Sequence, residues 1–191
     1  MNEQHGVFVL ASNKAKMRMS EYPEEIPGQI AAGINRLGSR GYTLYSIYPI
    51  GADVPYDEFP YPAQWIQATG IAPDRLTVEI KQRDGAGIHR LHAIGHQEAS
   101  AETAETEIIY NGDNEYRVRP PEVLTATEAI GLFQHYYETH SIPAGWHLRE
   151  HLGFSDTAVE EYLKSQAAEE GTAAKGRAIV AEITPAPHLN E

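Results

Sequence analysis

The sequence predicts an α+β fold. One domain over residues 1–170 carries a mainly antiparallel sheet, built of hairpins and a meander and flanked by about three helices, and a tail over 171–191 supplies one edge strand or stays partly disordered. Three observations lead there. Short runs alternate apolar and polar residues with period two between clusters of turn residues. The dipeptide Asn111-Gly112 separates two such runs and is the strongest hairpin signal in the chain. Apolar residues at spacings of three and four follow helix-start signals in three other stretches.

In chain order, Val7 to Leu10 is a short apolar run, Ser12-Asn13-Lys14 is turn chemistry, and Met17 and Met19 alternate with Lys16, Arg18 and Ser20. This is an opening hairpin. Pro27 then suits the first turn of a helix over 26–37, with Ile26, Ile30, Ile34 and Leu37 on one side and Gly38 and Gly41 as its stop. Tyr42 to Ile50, rich in β-branched and aromatic residues, reads as a strand. Pro49, Pro55, Pro60, Pro62 and Pro73 make the next stretch a long loop with a short helix around Ala63 to Ala68. Tyr56, Phe59, Tyr61 and Trp65 are expected to fold that loop back onto the core. Arg75 to Lys81 alternates as a half-buried strand, Asp84-Gly85-Ala86-Gly87 turns, and Ile88 to His96 returns beside it. The runs 107–110 and 115–119 pair across Asn111-Gly112 and continue the meander. Thr125 and Glu128 form a T-x-x-E capping box that opens a helix over 125–140 carrying Ala129, Leu132, Phe133, Tyr136 and Tyr137. Thr157 and Glu160 open another over 157–168.

Composition narrows the function. The 191 residues suffice for a packed core without staples. Lys plus Arg number 15 and Asp plus Glu 27, a formal charge of −12, so the averaged field repels phosphate and a nucleic-acid partner is not expected. An acidic surface suits a basic partner instead. The absence of cysteine excludes disulfides, thiolate zinc sites, iron–sulfur clusters and a cysteine nucleophile. No basic region leads into an apolar run at the start, and no stretch approaches the roughly 20 apolar residues of a membrane span, so a cytoplasmic protein without a membrane partner is expected. Tyrosine is abundant, with eleven copies against four phenylalanines, which suits half-buried strands and, in part, a binding face.

His147-Leu148-Arg149-Glu150-His151 is the sharpest enzymatic string, an H-x-x-E-H pattern. On a helix both imidazoles would share a face about 6 Å apart and could bind one zinc while the glutamate polarises a water. HLREHLGF resembles the zinc motif of insulinase-type metalloproteases. Pro143, Gly145 and Gly153 leave under two turns for such a helix, however. On a strand the two histidines would sit roughly 13 Å apart and could not share an ion. His89, His92 and His96 form a second group that fails as a metal site on a strand for the same reason. Protonating all nine histidines would move the charge from −12 to −3, which weakens attraction to a basic partner on acidification. No nucleophile elbow, dinucleotide loop or P-loop string is present. What remains is acidity. Glu98, Glu102, Glu105, Glu107, Asp113 and Glu115 crowd one stretch with no Lys or Arg between Gln97 and Glu115. That stretch is either a solvated loop or a docking face for a basic groove.

From Glu105 to Glu150 the sequence resembles the carboxy-terminal half of a polymorphic-toxin immunity family that includes inhibitors of bacterial deaminase toxins. The resemblance lies in the turn at Val123-Leu124-Thr125, the helix with Phe133, Tyr136 and Tyr137, the polar break ending at Pro143, and a closing strand with Trp146. The proline-rich stretch 49–73 and everything after Gly153 depart from that pattern. The resemblance implies no cofactor, no bound metal and no turnover. It implies tight binding of a cognate toxin, a nuclease or deaminase with a basic cleft, in the cytoplasm. Glu98, Glu102, Glu105, Asp113 and Glu115 are the expected partner-binding residues, and His147 and His151 would then lie on the closing strand. Two alternatives stand beside this: a small zinc-dependent hydrolase using His147, Glu150 and His151, and a non-enzymatic adaptor.

Overall fold

The computed structural model describes residues 7–55, 58–60, 62–97 and 104–151, which belong to one compact unit. Strands β1 (Val7–Ser12) and β2 (Lys16–Arg18) form the opening hairpin, and helix α1 (Ile26–Ile34) leads to β3 (Leu44–Ile50). Then follow β4 (Trp65–Ile71), β5 (Arg75–Arg83), β6 (His89–Gly95), β7 (Glu107–Asn111), β8 (Asn114–Val118), helix α2 (Ala126–Thr139) and β9 (His147–Glu150). Seven strands make one antiparallel sheet in the order β2-β1-β3-β4-β5-β6-β9, and β7 with β8 forms a separate two-stranded sheet.

The register divides the large sheet into two faces, because residues directly opposite one another point the same way. Tyr45, Ala68, Val78, Ile94 and Leu148 form a row on one face. Ser46, Gln67, Glu79, Ala93 and Arg149 form the neighbouring row on the other. The first face is apolar and packs against α1 and α2 to make the main core, where Ile30, Ile34, Tyr45, Ile66, Val78, Leu132 and Phe133 are buried. Gly33 lies directly under the Tyr45 ring, where any Cβ would overlap the ring carbons, so a side chain there would push α1 off the sheet. At the start of α2, the Thr125 hydroxyl accepts from the Glu128 N–H, and the Glu128 carboxylate accepts from the Thr125 N–H at 2.8 Å. This is the capping box the sequence promised.

Several expectations need correcting. The short helix expected around Ala63 to Ala68 is strand β4. Trp65, Ile66, Gln67 and Ala68 pair with Lys81, Ile80, Glu79 and Val78, and the flanking prolines bound the strand instead of preventing it. Helix α1 ends at Ile34, and the chain reaches Leu37 by successive turns. The run 107–119 leaves the meander for its own hairpin, and β9 takes the place beside β6. Two α-helices occur among the described residues; the helix expected over 157–168 and the tail 171–191 lie outside them. Phe59 and Trp65 do fold back, onto Val9, Ala11 and Tyr48, while Tyr56 and Tyr61 lie outside the described residues. No helix among the described residues is long and apolar enough to cross a membrane.

Candidate functional site

At β5 the sheet face away from the helices carries Glu79 where the other carries Val78 and Ile80, while its β1–β3 end is apolar, with Val9, Ala11 and Tyr48 buried. The charged part of that face centres on Arg149, which β9 places beside Ala93 and in the same row as Glu79. Its Nε donates to Glu122 Oε1 at 2.6 Å and its Nη2 to Glu122 Oε2 at 2.8 Å, a bidentate pair, while Nη1 lies 2.9 Å from Glu105 Oε1. Glu122, in the 3₁₀ turn Pro120–Glu122, is fully buried and also accepts the Arg119 backbone N–H at 2.9 Å. Burial alone would raise its pKa. The bonds from Arg149 and the Arg119 N–H outweigh that and hold it below the usual carboxylate range. Glu79 fares differently: burial pushes it up to about 7, Arg149 pulls it back only in part, and Glu122 adds to the rise. Its Oε1 lies 3.4 Å from His151 Nε2, and burial, then Arg149, depresses the His151 imidazole.

The acidic stretch is not uniform in space. Glu105 is joined to Arg149, and Glu107 to Arg75 at 3.0 Å, so two carboxylates that lack a cation in sequence acquire one by folding. Glu105 keeps 42% of its side chain exposed beside Arg149. Glu98 and Glu102 lie outside the described residues. Asp113 and Glu115 remain exposed, at the turn and on β8. The hairpin that carries them is held to the sheet. Ile109 and Val118 are buried, Ile109 sits against Gly70, and Arg75 donates to the Ile108 carbonyl at 3.0 Å. Its outward side presents Ile108 opposite Arg117 and Tyr110 opposite Glu115, with Tyr110 48% exposed.

The H-x-x-E-H string lies on β9 and the residue after it. Strand pitch separates His147 from His151 by about 13 Å, too far to share an ion. The glutamate of the string is engaged elsewhere, since Glu150 accepts from Arg90 Nη1 at 2.6 Å. His92 pairs in register with Glu150 and faces the side opposite Arg149. His96 lies beyond the end of β6, 2.8 Å from Glu128 and stacked near Trp146. No group of three or more potential metal ligands occurs among the described residues.

Glu79, Glu122 and Arg149 are the functional-looking residues that pattern reasoning passed over. Glu79 stood as the outward member of an alternating strand, and Arg149 as filler inside a zinc motif. For Glu79 and Arg149 the one visible signal is a charge on a strand at a position that folding encloses, which requires the fold to recognise. No family model, no curated protein and no solved structure matches the chain, so the resemblance over residues 105–150 rests on its residue pattern.

Proposed function

We propose that the chain is a non-enzymatic immunity protein that binds a cognate bacterial toxin and covers a basic substrate cleft, as would be found in a nuclease or deaminase. One observation carries the reading. The β7–β8 hairpin sets a half-exposed tyrosine, Tyr110, directly opposite Glu115, with Asp113 in the adjoining turn, on a support anchored by Ile109 and by the Arg75–Glu107 pair. An exposed aromatic with carboxylates beside it suits an interface aimed at a cationic groove, the ring making the contact and the charges lying at its rim, where Arg117 shares the same face. Rigid support matters because an anchor that is already ordered loses little freedom on binding. An interface of roughly 1,600 Å² in total suffices for a stable complex.

The folding of the acidic stretch sharpens the residue assignment. Glu105 and Glu107 are paired within the chain, so Asp113 and Glu115 carry the steering role, and Tyr110 carries the contact. No cofactor and no bond-making step enters this mechanism; occupation of the toxin's mouth is enough. The test is co-expression with the toxin encoded beside this chain, followed by association kinetics of the purified pair. Asp113→Lys with Glu115→Lys should slow association on the order of tenfold at low salt and much less at high salt. Tyr110→Ala should speed dissociation. Growth that the chain does not rescue, or kinetics indifferent to all three substitutions, would remove the reading.

A further inference from the structure

Among the described strands β8 has a single neighbour, β7. β7 is itself seated on the large sheet, where Ile109 sits against Gly70 and Arg75 donates to the Ile108 carbonyl at 3.0 Å. The two-residue turn Gly112-Asp113 makes Asn111 and Asn114 a hydrogen-bonded pair, and such pairs alternate along an antiparallel ladder. Tyr116 and Val118 therefore direct their main-chain groups at β7, while Glu115 and Arg117 direct theirs away from it. Ile108, directly opposite Arg117, turns its carbonyl outward in the same way on the β7 side, where Arg75 takes it. The β8 side has no such cover: among the described residues no hydrogen bond outside the β7–β8 ladder and no ion pair engages Glu115 or Arg117, and both are exposed.

An unpaired edge of this kind is a template for another strand, and its charges select the strand. Asp113 and Glu115 precede Arg117 and Arg119, so the segment runs from acidic to basic. Arg119 already acts on Glu122, which leaves Glu115 and Arg117 to decide the register. When a second β8 is laid antiparallel along the edge, outward main-chain groups must meet outward groups, so the two-fold axis falls on a residue and not between residues. With the axis at Glu115 or at Arg117, two carboxylates or two guanidinium groups face each other, which is unfavourable. With the axis at Tyr116, each Glu115 stands directly opposite Arg117 of the other copy. We propose that two copies of this chain associate through β8 in that register, joining the two hairpins into one antiparallel sheet. Each Glu115–Arg117 pair then exchanges both of its main-chain hydrogen bonds as well as its charges. Side chains directly opposite share a face, so Ile108 and Tyr110 of both copies lie on one surface and stay uncovered. The dimer goes beyond the toxin reading and needs no toxin. It joins strands of five residues, well below a standard interface, so it is weak and depends on concentration.

Sedimentation equilibrium of the intact chain, carried up to millimolar concentration, tests the joint. The formal charge of −12 opposes any self-association. Physiological ionic strength is therefore the condition to use, because charges more than about 8 Å apart are then largely screened and directly opposite ones much less. The average mass should climb toward twice that of one chain. Arg117→Glu sets carboxylate against carboxylate in both pairs and should weaken association on the order of tenfold. Glu115→Arg sets guanidinium against guanidinium and should weaken it similarly, although it reduces the formal charge from −12 to −10 and would tighten association if overall charge governed it. Mixed in equal amounts, the two variants should associate as the natural chain does, since each native charge meets its native partner and the two introduced charges meet each other. The exchanged variant carrying both substitutions should likewise self-associate. A natural chain that stays monomeric throughout overturns the proposal. So do single variants that associate as the natural chain does, or a mixture and an exchanged variant that both associate no better than the single variants.

Discussion

Where β5 runs through the large sheet, its two faces have opposite chemistry. On the helix-covered face, Tyr45, Ile47, Ile66, Val78, Ile80 and Ile94 are buried against α1 and α2, and the contact is non-directional. On the other face, Glu79, Glu122 and Arg149 are enclosed, and each depends on a named partner at a stated distance. An apolar face tolerates a missing methylene at a cost proportional to what is lost. A face built on paired charges has a threshold character, because removing one partner leaves the other buried and uncompensated.

The sharpest way to break that contrast is Arg149→Met. Leaving Glu122 buried without its bidentate partner should cost about 3–5 kcal/mol, read from the midpoint of denaturant unfolding. The double change Arg149→Met with Glu122→Leu removes both charges, and it should recover most of that loss if the pair itself contributes little net stability. A double variant as unstable as the single one would show that the pair stabilises the fold outright. On the apolar face, Phe133→Ala should cost about 3–5 kcal/mol through lost burial and a residual cavity. No second substitution of a neighbouring core residue should rescue it. Next in size, Gly33→Ala forces a methyl into the Tyr45 ring and should cost about 1–3 kcal/mol through displaced packing between α1 and β3. Thr125→Ala removes the cap on α2 and should cost about 1 kcal/mol.

Acid sharpens the same comparison. Glu122 has its folded pKa held below its ordinary 4.5, so the stability it contributes is present above 4.5 and is lost as pH falls through the depressed value. Thermal unfolding of the intact chain should therefore weaken on acidification below about 4.5, and the variant lacking both Arg149 and Glu122 should weaken less steeply. Equal slopes for the two proteins would show that this acid pair does not govern the acid limb.

Legibility followed the range of the interactions. Helix α2 was readable because its signals are local: Thr125 and Glu128 are three residues apart, and Leu132, Phe133 and Tyr136 repeat at helical spacing. The β7–β8 hairpin was readable because Asn111-Gly112 supplies both the turn and the register. Strand β4 was not, because a segment bracketed by Pro62 and Pro73 becomes a strand only through pairing with β3 and β5, which lie elsewhere in the sequence. The acidic stretch misled for a related reason. Glu107 meets Arg75 across 32 residues and Glu122 meets Arg149 across 27, separations at which sequence neighbours give no hint of partners.

What the sequence determined by itself is the class of fold, the boundaries of its locally coded elements and the overall sign of the charge, since each follows from residues close together or from a sum over all of them. Which carboxylates face outward and which are enclosed was decided by tertiary structure alone. That choice depends on which strands become neighbours, and only after β9 joins β6 does Arg149 reach Glu122 and Glu105, leaving Asp113 and Glu115 exposed and His151 against Glu79.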